Sequence, residues 1–103
     1  MQMEMGSKNP LVVMEDADLK TAIACAANGA YGGTGQKCTA SSRLIVHENL
    51  YDDFVKGLID NIKNLKVGHA LDEGTQMGPA SNKAQYESNL NYVEIGKGEA
   101  KLA

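Results

Sequence analysis

A thiol and a carboxylate are the two side chains of this 103-residue sequence best placed for covalent chemistry. Cys38 stands in Gly35-Gln36-Lys37-Cys38-Thr39-Ala40, behind a glycine-rich stretch and ahead of an apolar run, where a thiol is presented at the end of a strand. An unperturbed thiol, of pKa ~8.5, is only a few per cent thiolate at pH 7, and about 2 kcal/mol of preferential anion stabilisation brings that value to neutrality. Backbone N–H groups of a tight loop, with Lys37, are the groups that could supply it. A cysteine alone is more often a small buried filler, since free thiols are among the most buried side chains. That reading fits Cys25, set among Ala24, Ala26 and Ala27. Glu4 lies between Met3 and Met5 and before Gly6, apolar surroundings that raise a carboxyl group toward the range of a general base. Its ordinary alternative is a solvated glutamate.

Other chemistries fail on spacing. Gly6-Ser7-Lys8 and the glycines at 32, 33 and 35 lack the Walker arrangement, and the second group follows a helical pattern instead of a strand. His47 and His69 have no second histidine or cysteine at metal-ligand spacing, so zinc is not expected. Two cysteines in such a chain read as free thiols, not as a disulfide framework.

The elements that position these residues alternate. Pro10-Leu11-Val12-Val13-Met14 reads as a short buried strand. Asp16 is placed to cap a helix over 17–30, with Leu19, Ile23, Ala26, Ala27 and Ala30 at helical spacing and Asp18 in its first turn. Gly29, Gly32, Gly33 and Gly35 are expected to end that helix in a flexible loop leading to Cys38. Residues 41–46 read as a second strand. Tyr51, Val55, Leu58, Ile59, Ile62 and Leu65 then form one stripe of an amphipathic helix that His47 precedes. Residues 67–79, with three glycines and Pro79, predict a long irregular surface connection. Ser81 is the expected cap of a third helix carrying Tyr86, Leu90 and Val93 on one face; Gly96 and Gly98 are expected to stop it before a strand stub at 101–103. Strand, helix, strand, helix, helix is the α/β pattern of parallel strands, and two strands suggest a piece of a larger sheet.

Composition bounds the partners. The chain holds one domain at most. It is 43% hydrophobic and 22% charged, with mean hydropathy −0.31, the profile of an ordinary soluble globular chain. With no Trp and a single Phe, the core is expected to rest on Ala, Leu, Ile, Val and Met. Ten basic against thirteen acidic residues, scattered, give no nucleic-acid footprint. No apolar run reaches the ~18 residues of a membrane span, and the opening lacks a signal-peptide pattern, so a cytoplasmic location is expected.

Met3-Glu4-Met5-Gly6-Ser7-Lys8-Asn9-Pro10 and the stretch from Tyr31 to Gly35-Gln36-Lys37-Cys38 resemble the glutamate and cysteine signatures of the aldehyde dehydrogenase superfamily. Glu4 and Cys38 lie 34 positions apart, as in that family, and Ser42-Arg43-Leu44-Ile45-Val46-His47, Lys66-Val67-Gly68 and Gly78-Pro79 match as well, so the resemblance spans the chain. Its wording is most similar to the branch that oxidises 2-oxoglutarate semialdehyde (2,5-dioxopentanoate). The resemblance implies a partial, incomplete three-layer parallel-sheet catalytic domain over residues 1–103, covering its first stretch, without the NAD-binding domain. It implies that Cys38 is the nucleophile that forms a thiohemiacetal, that hydride loss to NAD or NADP gives a thioester, and that Glu4 activates the hydrolytic water. The Cys38 N–H would share the oxyanion with an Asn that this chain lacks. Ser7 stands where most members have glycine, and Gly32 where an aromatic is common. The implied partners are a small aldehyde, in that branch an acidic semialdehyde, and the remainder of the parent enzyme. No cofactor is expected on this chain alone, which is expected to be inactive as a dehydrogenase. The competing expectation is a free-standing, non-catalytic interaction module that self-associates through exposed sheet.

Overall fold

Two apolar runs lie side by side. Strand β1 (Asn9–Val13) and strand β2 (Ser41–Val46) form a two-stranded parallel sheet in which Leu11 pairs with Leu44, Val12 with Ile45 and Val13 with Val46. In the computed structural model, residues 1–3, 6 and 8–102 are described; Glu4, Met5, Ser7 and Ala103 lie outside the described residues. β2 occupies its predicted span. β1 starts one residue before the predicted Pro10, and Met14 leaves the ladder because its carbonyl accepts from Ala17 N–H at 3.0 Å and opens the turn into the next helix.

Parallel strands need a crossover, and helix α1 (Leu19–Tyr31) supplies it. Its cap is Asp18, not Asp16: the Asp18 carboxylate accepts from Thr21 N–H at 2.8 Å, satisfying a donor that a helix start leaves free. Gly29 lies inside α1 instead of ending it. A Cβ there would sit 3.0 Å from the Ser41 hydroxyl, so the missing side chain admits β2 close to the helix. Gly32–Gly35 then forms a 3-10 turn where a flexible loop was expected.

Helix α2 (Glu48–Ile62) follows β2 directly, with His47 as cap, its Nδ1 accepting from Asn49 N–H at 3.3 Å. The buried line of α2 is offset from the expected stripe. Phe54 is 1% exposed and packs with Val13 and Ala26, with Leu50 and Leu58 against the same cluster, whereas Tyr51 is exposed. The single phenylalanine is thus the largest fully buried side chain, in a core otherwise built from the expected Ala, Leu, Ile and Val. Where α1 and α2 cross, a Cβ at Gly57 would collide with Ile23 Cδ1.

The connection after α2 is irregular, as predicted, yet closed on itself. Val67 and Met77 make an isolated parallel bridge, Gly68 N–H donates to Met77 O at 3.0 Å, and Gln76 N–H donates to Lys66 O at 2.8 Å. Helix α3 (Lys83–Glu99) is capped by Asn82, not Ser81, through Gln85 N–H at 2.8 Å. It runs through Gly96 and Gly98 because each glycine only weakens a helix by about 1 kcal/mol, and Ala100 N–H still closes onto Gly96 O at 2.9 Å. None of its described residues is buried. Lys101 and Leu102 belong to no strand; Leu102 lines an apolar groove with Leu44, Val55 and Ile59.

The core is one-sided. Leu11, Val13 and Val46 turn toward α1 and α2, while Val12 and Ile45 on the opposite face are 57% and 55% exposed. No helix among the described residues is long and apolar enough to cross a membrane.

Candidate functional site

Cys38 occupies a corner of the turn that feeds β2. Ala40 N–H donates to Lys37 O at 3.1 Å, which makes Cys38 and Thr39 the central residues of a four-residue turn ending where the strand begins. Both Cys38 and Cys25 are exposed free thiols. The filler reading therefore fails for Cys25, whose place on α1 faces solvent instead of the alanine-lined core at Ala26 and Ala27.

The residues before Cys38 are bent into the left-handed region. Gly33, Thr34 and Gly35 have φ of 61°, 61° and 67°, and a Cβ at Gly35 would stand 2.8 Å from Ala30 O, so position 35 accepts only glycine without displacement. Thr34 holds the same conformation against its Cβ, and its hydroxyl donates to Gly78 O at 3.0 Å. Gln36 adds two bonds to the same distant segment: its Nε2 donates to Pro79 O at 3.3 Å, and its Oε1 accepts from Ser81 N–H at 2.9 Å. On the other side, Asn9 Nδ2 donates to Cys38 O at 2.8 Å and to Ala40 O at 3.0 Å, and Arg43 Nε donates to Lys8 O at 2.9 Å. Asn9 and Gln36 stand in the two signature segments and Thr34 between the glycines of the turn, and the sequence assigns none of them a role. Their amide and hydroxyl groups beside Cys38 were the available signal, but their partners lie 29 to 45 residues away in sequence.

Among the described residues the Cys38 N–H has no hydrogen-bond partner, and the trans peptide explains its direction. The Lys37 carbonyl points into the turn, so the N–H on the other side of that peptide points out of it. The Lys37 side chain folds back over the glycine turn, where a Cβ at Gly33 would meet Lys37 Cε at 3.2 Å. Glu4 lies outside the described residues, and its distance from Cys38 is therefore not part of this geometry. His47 and His69 serve local structure: His69 Nδ1 accepts from Leu71 N–H at 3.2 Å, and His47 Nε2 lies 3.9 Å from Glu15. Among the described residues no three His, Cys, Asp or Glu side chains gather as a metal site.

The β1-to-α1 turn does not fit the pyrophosphate of a dinucleotide. That group would need a glycine-rich turn from strand to helix N-terminus. Here the β1-to-α1 turn carries Glu15, Asp16 and Asp18, and the Asp18 carboxylate already takes the helix N–H group. Hydrogen bonds from Thr21, side chain and backbone, hold Asp18 below its ordinary value, so it is a fixed negative charge at that end.

A parallel strand-helix-strand unit that presents an exposed thiol on the turn into its second strand defines a small α/β chain. The aldehyde dehydrogenase family model matches residues 1–103, and the chain belongs to the aldehyde dehydrogenase family. It is 44% identical over 97 residues to betaine aldehyde dehydrogenase of Brucella anthropi and 45% identical over 98 residues to alpha-ketoglutaric semialdehyde dehydrogenase of Bacillus subtilis. These alignments cover 94% and 95% of this chain and 20% of each relative. The crystal structure of betaine aldehyde dehydrogenase from Staphylococcus aureus in complex with NAD+ superposes with a TM-score of 0.91 at 37% identity, over 94% of this chain and 19% of that one. The chain thus spans about a fifth of the length of the relatives it matches, and its two-strand parallel sheet with helices is the corresponding part of their fold.

Proposed function

We propose that this chain is a segment of the catalytic domain of an NAD(P)-dependent aldehyde dehydrogenase, carrying the nucleophile Cys38 and the general base Glu4. The observation that carries the reading is the exposed Cys38 on a turn held from both sides, in a chain of this family. The Cys38 thiolate adds to the aldehyde carbon: the C–S bond forms, the carbonyl π electrons move to oxygen, and a proton there completes the thiohemiacetal. The outward Cys38 N–H is a donor for that oxygen. Glu4 would activate water in the later thioester hydrolysis. Oxidation needs a hydride acceptor, for which the acidic β1-to-α1 turn offers no cradle, so the 103-residue chain alone is inactive as a dehydrogenase. An acidic semialdehyde such as 2-oxoglutarate semialdehyde is the proposed substrate, on the wording of the two signatures, and the cytoplasm the proposed location.

The test is trapping of a 13C-carbonyl-labelled semialdehyde by the isolated chain. A thiohemiacetal resonance that disappears in Cys38→Ser and persists in Cys25→Ser is expected, with no NADH formed on addition of NAD+. A signal independent of Cys38 overturns the nucleophile assignment; NADH turnover above the Cys38→Ser control overturns the inactivity. A non-catalytic interaction module is the second reading, favoured by the bare sheet face at Val12 and Ile45. A compact monomer in size-exclusion chromatography that binds no apolar dye would remove its basis.

A further inference from the structure

The turn that bears Cys38 is gripped from β1 by one side chain. Asn9 is the first residue of β1, and its Nδ2 spends both hydrogens on carbonyls of that turn, Cys38 O at 2.8 Å and Ala40 O at 3.0 Å. The register breaks at this point: Asn9 pairs with Ser41 but Pro10 pairs with Arg43, so β2 carries one extra residue immediately after the turn. Such an irregularity leaves the ladder locally open and re-aims neighbouring groups. With the Cys38 carbonyl drawn toward β1, the peptide between Cys38 and Thr39 has one orientation, and the Lys37-to-Ala40 bond fixes the peptide before it. The two peptides flanking the thiol are then both set, one by the turn's own bond and one by Asn9.

We infer that Asn9 is a positioning residue for Cys38, its carboxamide fixing the backbone on the carboxyl side of the thiol by donating to Cys38 O and Ala40 O. This rests on Cys38 being the nucleophile, and it links the segment bearing the glutamate signature to the turn bearing the cysteine. An isosteric carboxylate at position 9 would face the two carbonyls with acceptors only, so Asn9→Asp removes the grip without changing shape. Asn9→Ser retains one donor. Arg43→Gln, which removes the neighbouring bond to Lys8 O, weakens the same edge of the sheet without touching the turn's carbonyls.

Two readouts in the 103-residue chain with Cys25→Ser test the inference. The first is the iodoacetamide alkylation rate of Cys38 across pH; the second is amide exchange at Ala40, compared with His47, whose N–H donates to Val13 O at the far end of the sheet. Asn9→Asp and Asn9→Ala are expected to change the alkylation rate and to speed Ala40 exchange by about thirtyfold, as loss of two hydrogen bonds implies, with Asn9→Ser between them and wild type. His47 exchange and both readouts in Arg43→Gln are expected to stay near wild type. The inference is overturned if the Asn9 variants leave either Ala40 exchange or Cys38 alkylation unchanged, if Arg43→Gln acts as they do, or if Ala40 and His47 lose protection together in every Asn9 variant, which would make Asn9 a general sheet residue. Neither readout uses an aldehyde, so failure of thiohemiacetal trapping with a retained Asn9 effect counts against the proposed function alone.

Discussion

Asp18 shows how one side chain sets an element's start. Its carboxylate, held below the ordinary 3.8 by hydrogen bonds from Thr21, favours the folded state only while ionised. The contribution is complete above that ordinary value and is lost as pH falls through the lower folded value. Circular dichroism at 222 nm is expected to show wild type losing helix in that acid window, whereas Asp18→Asn, which caps without a charge, loses no helix from this source. At the same scale, the glycine turn before Cys38 and the strand after it were legible, but a lone cysteine reads more often as a buried filler, and the exposure of Cys38 came from the fold. The grip of Asn9 and Gln36 was not legible, because a hydrogen bond across 29 or 45 residues leaves no periodic trace in the chain. Asp18 rather than Asp16 became the cap because Met14 O and Ala17 N–H close a turn that delays the helix.

Element boundaries were least legible where a glycine had two readings. Gly29 sits within α1 because Ser41 comes against it, whereas Gly96 and Gly98 sit in α3 with nothing within 4 Å of a would-be Cβ. Gly96→Ala and Gly98→Ala should therefore each strengthen α3 by about 1 kcal/mol and raise the helical signal, whereas loss of signal would show that α3 packs on something these positions face. α2 makes the opposite demand. Its expected stripe passed beside Phe54, but α2 buries that ring against Val13 and Ala26 and leaves Tyr51 exposed, since the phenyl ring carries no hydroxyl that needs a hydrogen-bond partner. Phe54→Ala is expected to cost about 3–5 kcal/mol, enough to abolish a cooperative thermal transition in a chain with so few fully buried side chains.

At the scale of the whole molecule, the radius of gyration is 15.0 Å, above the roughly 13 Å of a compact domain near 100 residues. The sheet explains part of it: helices cover one face, and Val12 and Ile45 stand bare on the other, where parallel sheets are normally covered on both. α3, with no buried residue, extends the chain further. Replacing Val12 and Ile45 together by threonine, which keeps β-branching, is expected to lower binding of an apolar dye at least about twofold without loss of circular dichroism. Unchanged dye binding would place the exposed apolar surface elsewhere, on α3 or in the groove beside Leu102.

The amino-acid sequence by itself determined the element order, the parallel pairing, the span of β2, the irregular connection after α2 and the family. Each of these is written in local periodicity, turn residues or contiguous motifs. Only the tertiary structure decided which helix face is buried, where α1 and α3 begin, how glycines at 29, 96 and 98 are used, and which side chains hold the Cys38 turn. Those outcomes depend on contacts between residues far apart in the chain, whose summed energies exceed the roughly 1 kcal/mol differences of local preference that a sequence displays.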